Sequence, residues 1–205
     1  MKVLIGVDLQ NDFCAGGALA VNDGDATVPY FNELRKSLKP DLVVLTQDFH
    51  PSDHISFVRN NPGAQLFTVH NGQMMWPAHC EQGTHGAEFH PALERDGTEL
   101  IIQKGLNRAV DSYSGFGSEG AVTGKCGAED KNKERTALEA ELRARGITKV
   151  YVVGLAYDYC VAATAKDAAA LGFETIVLKD GCRAVAEESA VKETAAMFAA
   201  GVTIQ

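Results

Sequence analysis

The stretch KVYVVGLAYDYCVAATAKDAAALG, residues Lys149 to Gly172, decides how this chain is built. Its first part, KVYVVG up to Gly154, is a short apolar run rich in β-branched residues, the composition of a buried strand. Its last part, CVAATAKDAAALG from Cys160, has a helical pattern that Gly172 closes as a C-terminal stop. A strand that hands over to a helix within a few residues is the repeating unit of a parallel sheet. The intervening turn, LAYDY, delivers Cys160 to that junction, and two readings stand open there. Free cysteine is among the most buried residue types, so it could simply pack the helix against the sheet. If the helix starts at Cys160, its unpaired amides and dipole would instead lower the thiol pKa and make a nucleophile.

The same alternation runs outward from this unit. VLIGV (Val3 to Val7), LVVLT (Leu42 to Thr46), LIIQ (Leu100 to Gln103) and ETIVL (Glu174 to Leu178) read as further strands, with VTI (Val202 to Ile204) as an edge strand. Val28, Phe31, Leu34 and Leu38 recur at helical spacing, and RTALEAELRARG and ESAVKETAAMFAAG read as helices. Strands that are apolar on both faces, alternating with helices, predict a three-layer α/β fold. Its sheet is mainly parallel, of five to six strands, with helices on both faces. Two stretches break the rhythm: residues from about Phe49 to about Gly97, rich in His, Gly, Pro and Asn, and the glycine-rich, charged Gly115 to Glu134. Neither reads as a linker, so 1–205 is expected to be one domain.

Composition narrows the function. A net charge of −8 and a sequence pI near 5.2 argue against a general nucleic-acid binder. No apolar run reaches membrane-spanning length, and MKVLIGVDLQNDF reads as a first strand and not as a signal peptide. Cys14, Cys80, Cys126, Cys160 and Cys182 form an odd, widely spaced set without a CxxC pair, which fits a reducing, cytoplasmic setting.

Ligands of open α/β sheets bind beyond the carboxyl ends of the strands. Asp8 follows the first strand, Asp48 and His50 the second, Lys104 the third and Cys160 the fourth. A carboxylate in Asp8's position is costly unless paired or solvated. It could take the thiol proton and return it to a leaving amine, with Lys104 keeping it ionised. A plain Asp8–Lys104 salt bridge, or Asp8 as a turn cap, would account for the same pattern. Asp48 and His50 point the same way if that segment is extended. With His54 and His79 they offer one carboxylate and up to three imidazoles for zinc, manganese or iron. Cys80, beside His79, fits that oxygen and nitrogen set less well. Phe13 and Trp76, the single tryptophan, could sandwich a flat substrate or could be ordinary core aromatics.

Taken in order, DLQNDFCAGGAL, QDFHPSDHISF, WPAHC, KGLNRAVDSYSGF, GLAYDYCV and LKDGCRAV resemble the nicotinamidase/pyrazinamidase branch of the isochorismatase-like cysteine hydrolases. The resemblance runs from Val7 to about Val185. It implies hydrolysis of nicotinamide (and pyrazinamide) to the acid and ammonia in NAD salvage. It implies an Asp8, Lys104, Cys160 triad, a cis Leu155–Ala156 bond, and an oxyanion hole from the Ala156 and Cys160 amides. It also implies one divalent metal, zinc before iron or manganese, on Asp48, His50 and His79. His54 is a direct or water-mediated partner, the metal holds the pyridine nitrogen, and Phe13 and Trp76 pack on the ring. Three rivals remain. One is a relative acting on an isochorismate-like, ureido or carbamoyl substrate. Another is a hydrolase in which metal-bound hydroxide attacks, and the last is a non-catalytic binding module.

Overall fold

The computed structural model describes residues 1–118 and 134–205. Cys126 and most of the glycine-rich Gly115 to Glu134 stretch lie outside the described residues. In chain order the strands are β1 (Lys2–Val7), β2 (Leu42–Asp48), β3 (Val69–His70), β4 (Gln73–Met74), β5 (Leu100–Lys104), β6 (Lys149–Leu155), β7 (Glu174–Arg183) and β8 (Thr203–Ile204). The helices are α1 (Thr27–Leu38), α2 (Leu138–Ala144), α3 (Ala162–Ala170) and α4 (Glu187–Ala199). One six-stranded sheet runs β5-β2-β1-β6-β7-β8, and each of its pairings is parallel.

Val3, Leu4, Ile5 and Val7 of β1 are fully buried. Successive strand residues face opposite sides of a sheet, so both faces are covered and the expected three layers are present. Burying each such side chain is worth roughly 1.5–3 kcal/mol. The core joins these residues to Val44 and Leu45 of β2, Val150, Val152 and Val153 of β6, Phe31 of α1 and Ala165 of α3.

Strand order explains where chemistry collects. From β1 the chain builds outward through β2 to β5, then crosses back to place β6 on the other side of β1. The reversal opens a crevice above the carboxyl ends of β1 and β6, the usual ligand position in such sheets. Gly154 allows the two strands to meet there. Its φ is 126°, and a Cβ at that position would lie 2.2 Å from the Val7 carbonyl oxygen.

Three expectations need correction. The helix after β6 does not begin at Cys160: Tyr157–Val161 form a wide π-type turn, and α3 starts at Ala162. β7 continues past Leu178 to Arg183, pairing Gly154 with Cys182 and Leu155 with Arg183 after a register shift. The polar Lys179 and Asp180 lie across that irregularity, which hid the strand's second half from an apolar-run reading. The irregular 49–97 region also contains the β3–β4 hairpin. Asn71 and Gly72 turn it with φ of 50° and 82°, the paired positive values of a type I′ turn, and an Asn-Gly pair is the sequence mark of that turn.

Candidate active site

Asp8 is the first residue beyond β1 and is completely buried. Its φ of 49° turns it out of the strand direction. Thr46 of β2 holds it from both sides: the Asp8 amide donates to the threonine hydroxyl at 3.1 Å, and that hydroxyl donates to Asp8 Oδ1 at 2.6 Å. Lys104 closes β5 directly opposite Asp48 of β2 in the register. Its fully buried ammonium lies 3.0 Å from Asp8 Oδ2 and 2.9 Å from Asp48 Oδ1, and it donates to the Cys160 sulfur at 3.4 Å and the Ser112 carbonyl at 3.3 Å. Four strand ends thus supply one contiguous charged cluster.

The electrostatics differ from what a helix-terminal thiol would give. Burial, and then the Asp8 and Asp48 charges, push the Cys160 thiol well above its ordinary pKa against the opposing pull of Lys104. The resting sulfur is therefore protonated and needs a base. Burial and Asp48 also raise Asp8, while Lys104, Thr46 and the Cys160 thiol favour its ionised form. Although Asp8 Oδ2 lies 3.0 Å from Lys104 Nζ, it receives no hydrogen bond among the described residues. That oxygen is an open acceptor beside the thiol. Burial alone would lower Lys104, but Asp48 and Asp8 overcome it and hold the ammonium well above the usual lysine range.

A second group converges alongside. The chain just past β2 pairs with residues 80–82: the His50 amide donates to Cys80 O at 3.0 Å, and the Gln82 amide to His50 O at 2.9 Å. This pairing swings His79 beside His50, with ring centroids 5.1 Å apart. His50 Nε2 and His79 Nε2 lie 3.1 Å and 3.6 Å from Asp48 Oδ2. Each ring's Nδ1 meets a backbone carbonyl, Gly105 O at 3.0 Å for His50 and Pro77 O at 2.8 Å for His79. A carbonyl only accepts, so both Nδ1 atoms carry a proton and Nε2 is the ring atom that each histidine turns towards the carboxylate. One carboxylate oxygen and two imidazole nitrogens, all buried and converging, suit a divalent cation that prefers oxygen and nitrogen donors. Gly105 makes room for this: a Cβ there would sit 2.3 Å from His50 Cε1. Burial opposes ionisation of Asp48, but His50 and Lys104 hold its carboxyl well below the usual range.

His54 falls outside this trio. It stacks on His50 at 4.1 Å, yet its Nδ1 is 2.8 Å from Ser56 Oγ and its Nε2 is 3.1 Å from Val110 O. It groups instead with His50 and Asp111. Burial and His50 lower its pKa to about 4, leaving it neutral. Cys80 is buried, held as a thiol by burial first and the Asp48 and Asp12 charges next, and belongs to no metal-competent group among the described residues.

Members of both groups line one cleft. Cys160, Ala156, Asp48 and His79 line it, and Phe13 and Trp76 add apolar surface. The Leu155–Ala156 peptide is cis, and no acceptor for the Ala156 amide is found among the described residues. Several contributors were not singled out in the sequence. Gln10 clamps Asp48, donating to its carbonyl and accepting from its amide, each at 2.8 Å. Asp158 lies in the Cys160 turn and accepts from the Val185 and Ala186 amides and from the Ser189 hydroxyl, so it caps α4 from outside that helix. Asp111, Tyr113 and Tyr159 complete the cleft wall, and the Tyr113 hydroxyl takes the Trp76 indole N–H at 3.1 Å. Asp111 and Tyr113 are separated by one residue in a post-strand segment, the alternation that brings side chains to one face.

The isochorismatase domain model matches residues 2–205. The chain belongs to the isochorismatase family. Among family members it is 44% identical over 186 residues to the nicotinamidase of Acinetobacter baylyi, a match covering 89% of this chain and 81% of that one. The pyrazinamidase of Pyrococcus horikoshii, solved in complex with zinc, superposes with a TM-score of 0.80 at 35% identity, covering 100% of this chain and 98% of that one. PnC1 from L. infantum, solved in complex with nicotinate, superposes with a TM-score of 0.85 at 35% identity, covering 100% and 92%. The family's α/β sheet is the one seen here. The Asp48, His50 and His79 donor set, in a chain similar to a zinc-bound pyrazinamidase, supports a divalent-metal site. Among the described residues, no helix is long and apolar enough to cross a membrane.

Proposed function

We propose that this chain, acting as one domain over residues 1–205, hydrolyses nicotinamide to nicotinate and ammonia in NAD salvage, and accepts pyrazinamide. Its relatives' activities support the reading, and one observation carries it: a buried carboxylate and ammonium, Asp8 and Lys104, meet at the protonated thiol of Cys160, which lines the same cleft as Asp48 and His79 of the metal-competent trio.

Asp8 Oδ2 takes the proton from Cys160 as sulfur attacks the carboxamide carbon. Lys104 holds the developing charges close to balance throughout. The Ala156 and Cys160 amides receive the oxyanion. Asp8 returns its proton to the nitrogen, ammonia departs and a thioester remains. Water then attacks the thioester carbon, Asp8 accepts its proton and passes it to the departing sulfur, and the free thiol and the acid are restored. Phe13 and Trp76 pack on the flat ring. Asp48, His50 and His79 hold one divalent ion, zinc by preference with iron or manganese as alternatives, and His54 steadies the site from beside His50. When bound, the cation supplies a Lewis-acidic anchor for the ring nitrogen. Among the described residues, Cys14, Cys80, Cys160 and Cys182 are free thiols, which fits a reducing cytoplasmic setting.

Ammonia release from nicotinamide by the wild type and by Cys160→Ala tests the reading. The wild type should turn over, and the variant should lose essentially all activity while still binding nicotinamide. A variant that keeps much of the activity would move the attack to metal-bound hydroxide.

A further inference from the structure

The cleft contains a charge that the proposed chemistry leaves without a task. Asp111 lines the same wall as Trp76, Tyr113 and Cys160. Asp48, the other carboxylate on that wall, is matched by Lys104 at 2.9 Å. Asp111 has no such match: among the described residues no lysine, arginine or histidine nitrogen lies within 4.0 Å of its oxygens. Neutral donors hold it instead, with Gln73 Nε2 at 2.8 Å from Oδ2 and the Ser112 amide at 3.0 Å from Oδ1. These two bonds hold the half-buried carboxylate against the cleft. Of the two histidines grouped with it, His54 spends both ring nitrogens on Ser56 and Val110, and His50 turns Nε2 towards Asp48. Beside Asp111, the Tyr113 phenol is kept neutral by burial and then by the Asp111 charge itself.

We infer that Asp111 is a charge selector, favouring neutral amides over carboxylates in the cleft. The inference rests on the proposed amide hydrolysis and deepens it. That reaction changes the ligand's charge at one place only, where a neutral carboxamide becomes a carboxylate. A fixed anion on an otherwise largely apolar wall is nearly indifferent to the first and repels the second. The same repulsion works in two directions. It hastens release of the acid after each turnover, and it keeps out amide or ureido compounds that already bear a carboxylate.

The size of the effect follows from Coulomb's law. Two like charges several ångströms apart at an effective dielectric of about 20–40 differ from a charge–neutral pair by roughly tenfold or more in affinity. Calorimetry on metal-loaded Cys160→Ala, with and without Asp111→Asn, would give dissociation constants for nicotinate and nicotinamide without any turnover. The nicotinate-to-nicotinamide ratio of these constants should fall about tenfold when Asp111 is neutralised. Asp111→Glu, which keeps the charge, should leave the ratio near the parent value, and Asp111→Ala serves if the asparagine variant does not fold. A fall smaller than threefold in the neutral variants overturns the selector. Binding of neither ligand by the parent Cys160→Ala protein would overturn the proposed substrate as well, whereas normal binding with an unchanged ratio would overturn the selector alone.

Discussion

Replacing Lys104 by methionine should cost more stability than any other single change in the cleft, and the cost should depend on pH in a defined direction. The ammonium is fully buried between Asp8, also fully buried, and Asp48, whose side chain is 6% exposed. Methionine fills the stem's volume but leaves two buried carboxylates without their shared cation. Removing one partner of a buried ion pair costs about 3–5 kcal/mol, chiefly through the charge left behind. For a chain of this length that lowers Tm by on the order of 10 °C. The pH dependence follows from Asp8. Its pKa is already raised by burial and Asp48, and Lys104 is the main influence pulling it down. Without Lys104 it rises further above the unfolded value. A carboxyl with a raised folded pKa contributes stability that is present below its unfolded pKa and lost as pH rises through the folded one. The deficit of Lys104→Met should therefore be smaller at about pH 5 than at about pH 8, because protonating Asp8 removes one orphan charge. Chelator-treated protein avoids metal linkage, and urea unfolding followed by the fluorescence of Trp76, the single tryptophan, reads the change. A loss below about 1 kcal/mol, or one that is equal at both pH values, would refute the shared-cation reading.

Other changes test the remaining parts. Thr46→Val removes the hydroxyl that both donates to Asp8 Oδ1 and accepts its amide, and should lower kcat about tenfold with a smaller effect on KM; an unchanged kcat would mean Asp8 is positioned by Lys104 alone. Trp76→Ala should weaken nicotinamide binding on the order of tenfold in a calorimetric titration, and equal affinity would count against ring packing. His79→Ala should reduce metal affinity by more than about a hundredfold in competition with a chromophoric chelator, and near-normal affinity would remove His79 from the ligand set.

The sheet was legible because its strands are apolar on both faces, and the rule that such sheets bind ligands beyond their strands' carboxyl ends then nominated Asp8, Asp48, Lys104 and Cys160. Residues acting through long-range contacts were much less visible. Thr46 reads as the last β-branched residue of a strand, and nothing local says that its hydroxyl faces a carboxylate across the neighbouring strand. Gln10 looks like any polar residue after a strand, yet it fixes both the amide and the carbonyl of Asp48. Asp158 lies two residues before Cys160, while its partners Val185, Ala186 and Ser189 are about thirty residues downstream, so its capping role exists only after folding. The β3–β4 hairpin is different, since its Asn71–Gly72 pair was present in the sequence as a turn signal.

Cys160 shows why finding a residue is easier than assigning its state. Position at a strand-to-helix junction suggests a thiol acidified by helix amides. The turn from Tyr157 to Val161 is wider than an α-helical one, and Cys160 lies within it beneath the cleft wall, 6% exposed, facing Asp8 as well as Lys104. Burial and the two carboxylates outweigh the ammonium, so the thiol keeps its proton at rest. A pre-formed thiolate would need no base for the attack, and Asp8 would then serve only the later proton transfers. A protonated thiol makes Asp8 indispensable, and the oxygen of Asp8 that receives no hydrogen bond is the one available to take the proton. In the proposed mechanism the raised pKa also keeps the sulfur less nucleophilic until a substrate occupies the cleft, when the Ala156 and Cys160 amides would share the charge. Activation of the nucleophile is in this way tied to the presence of the amide it attacks.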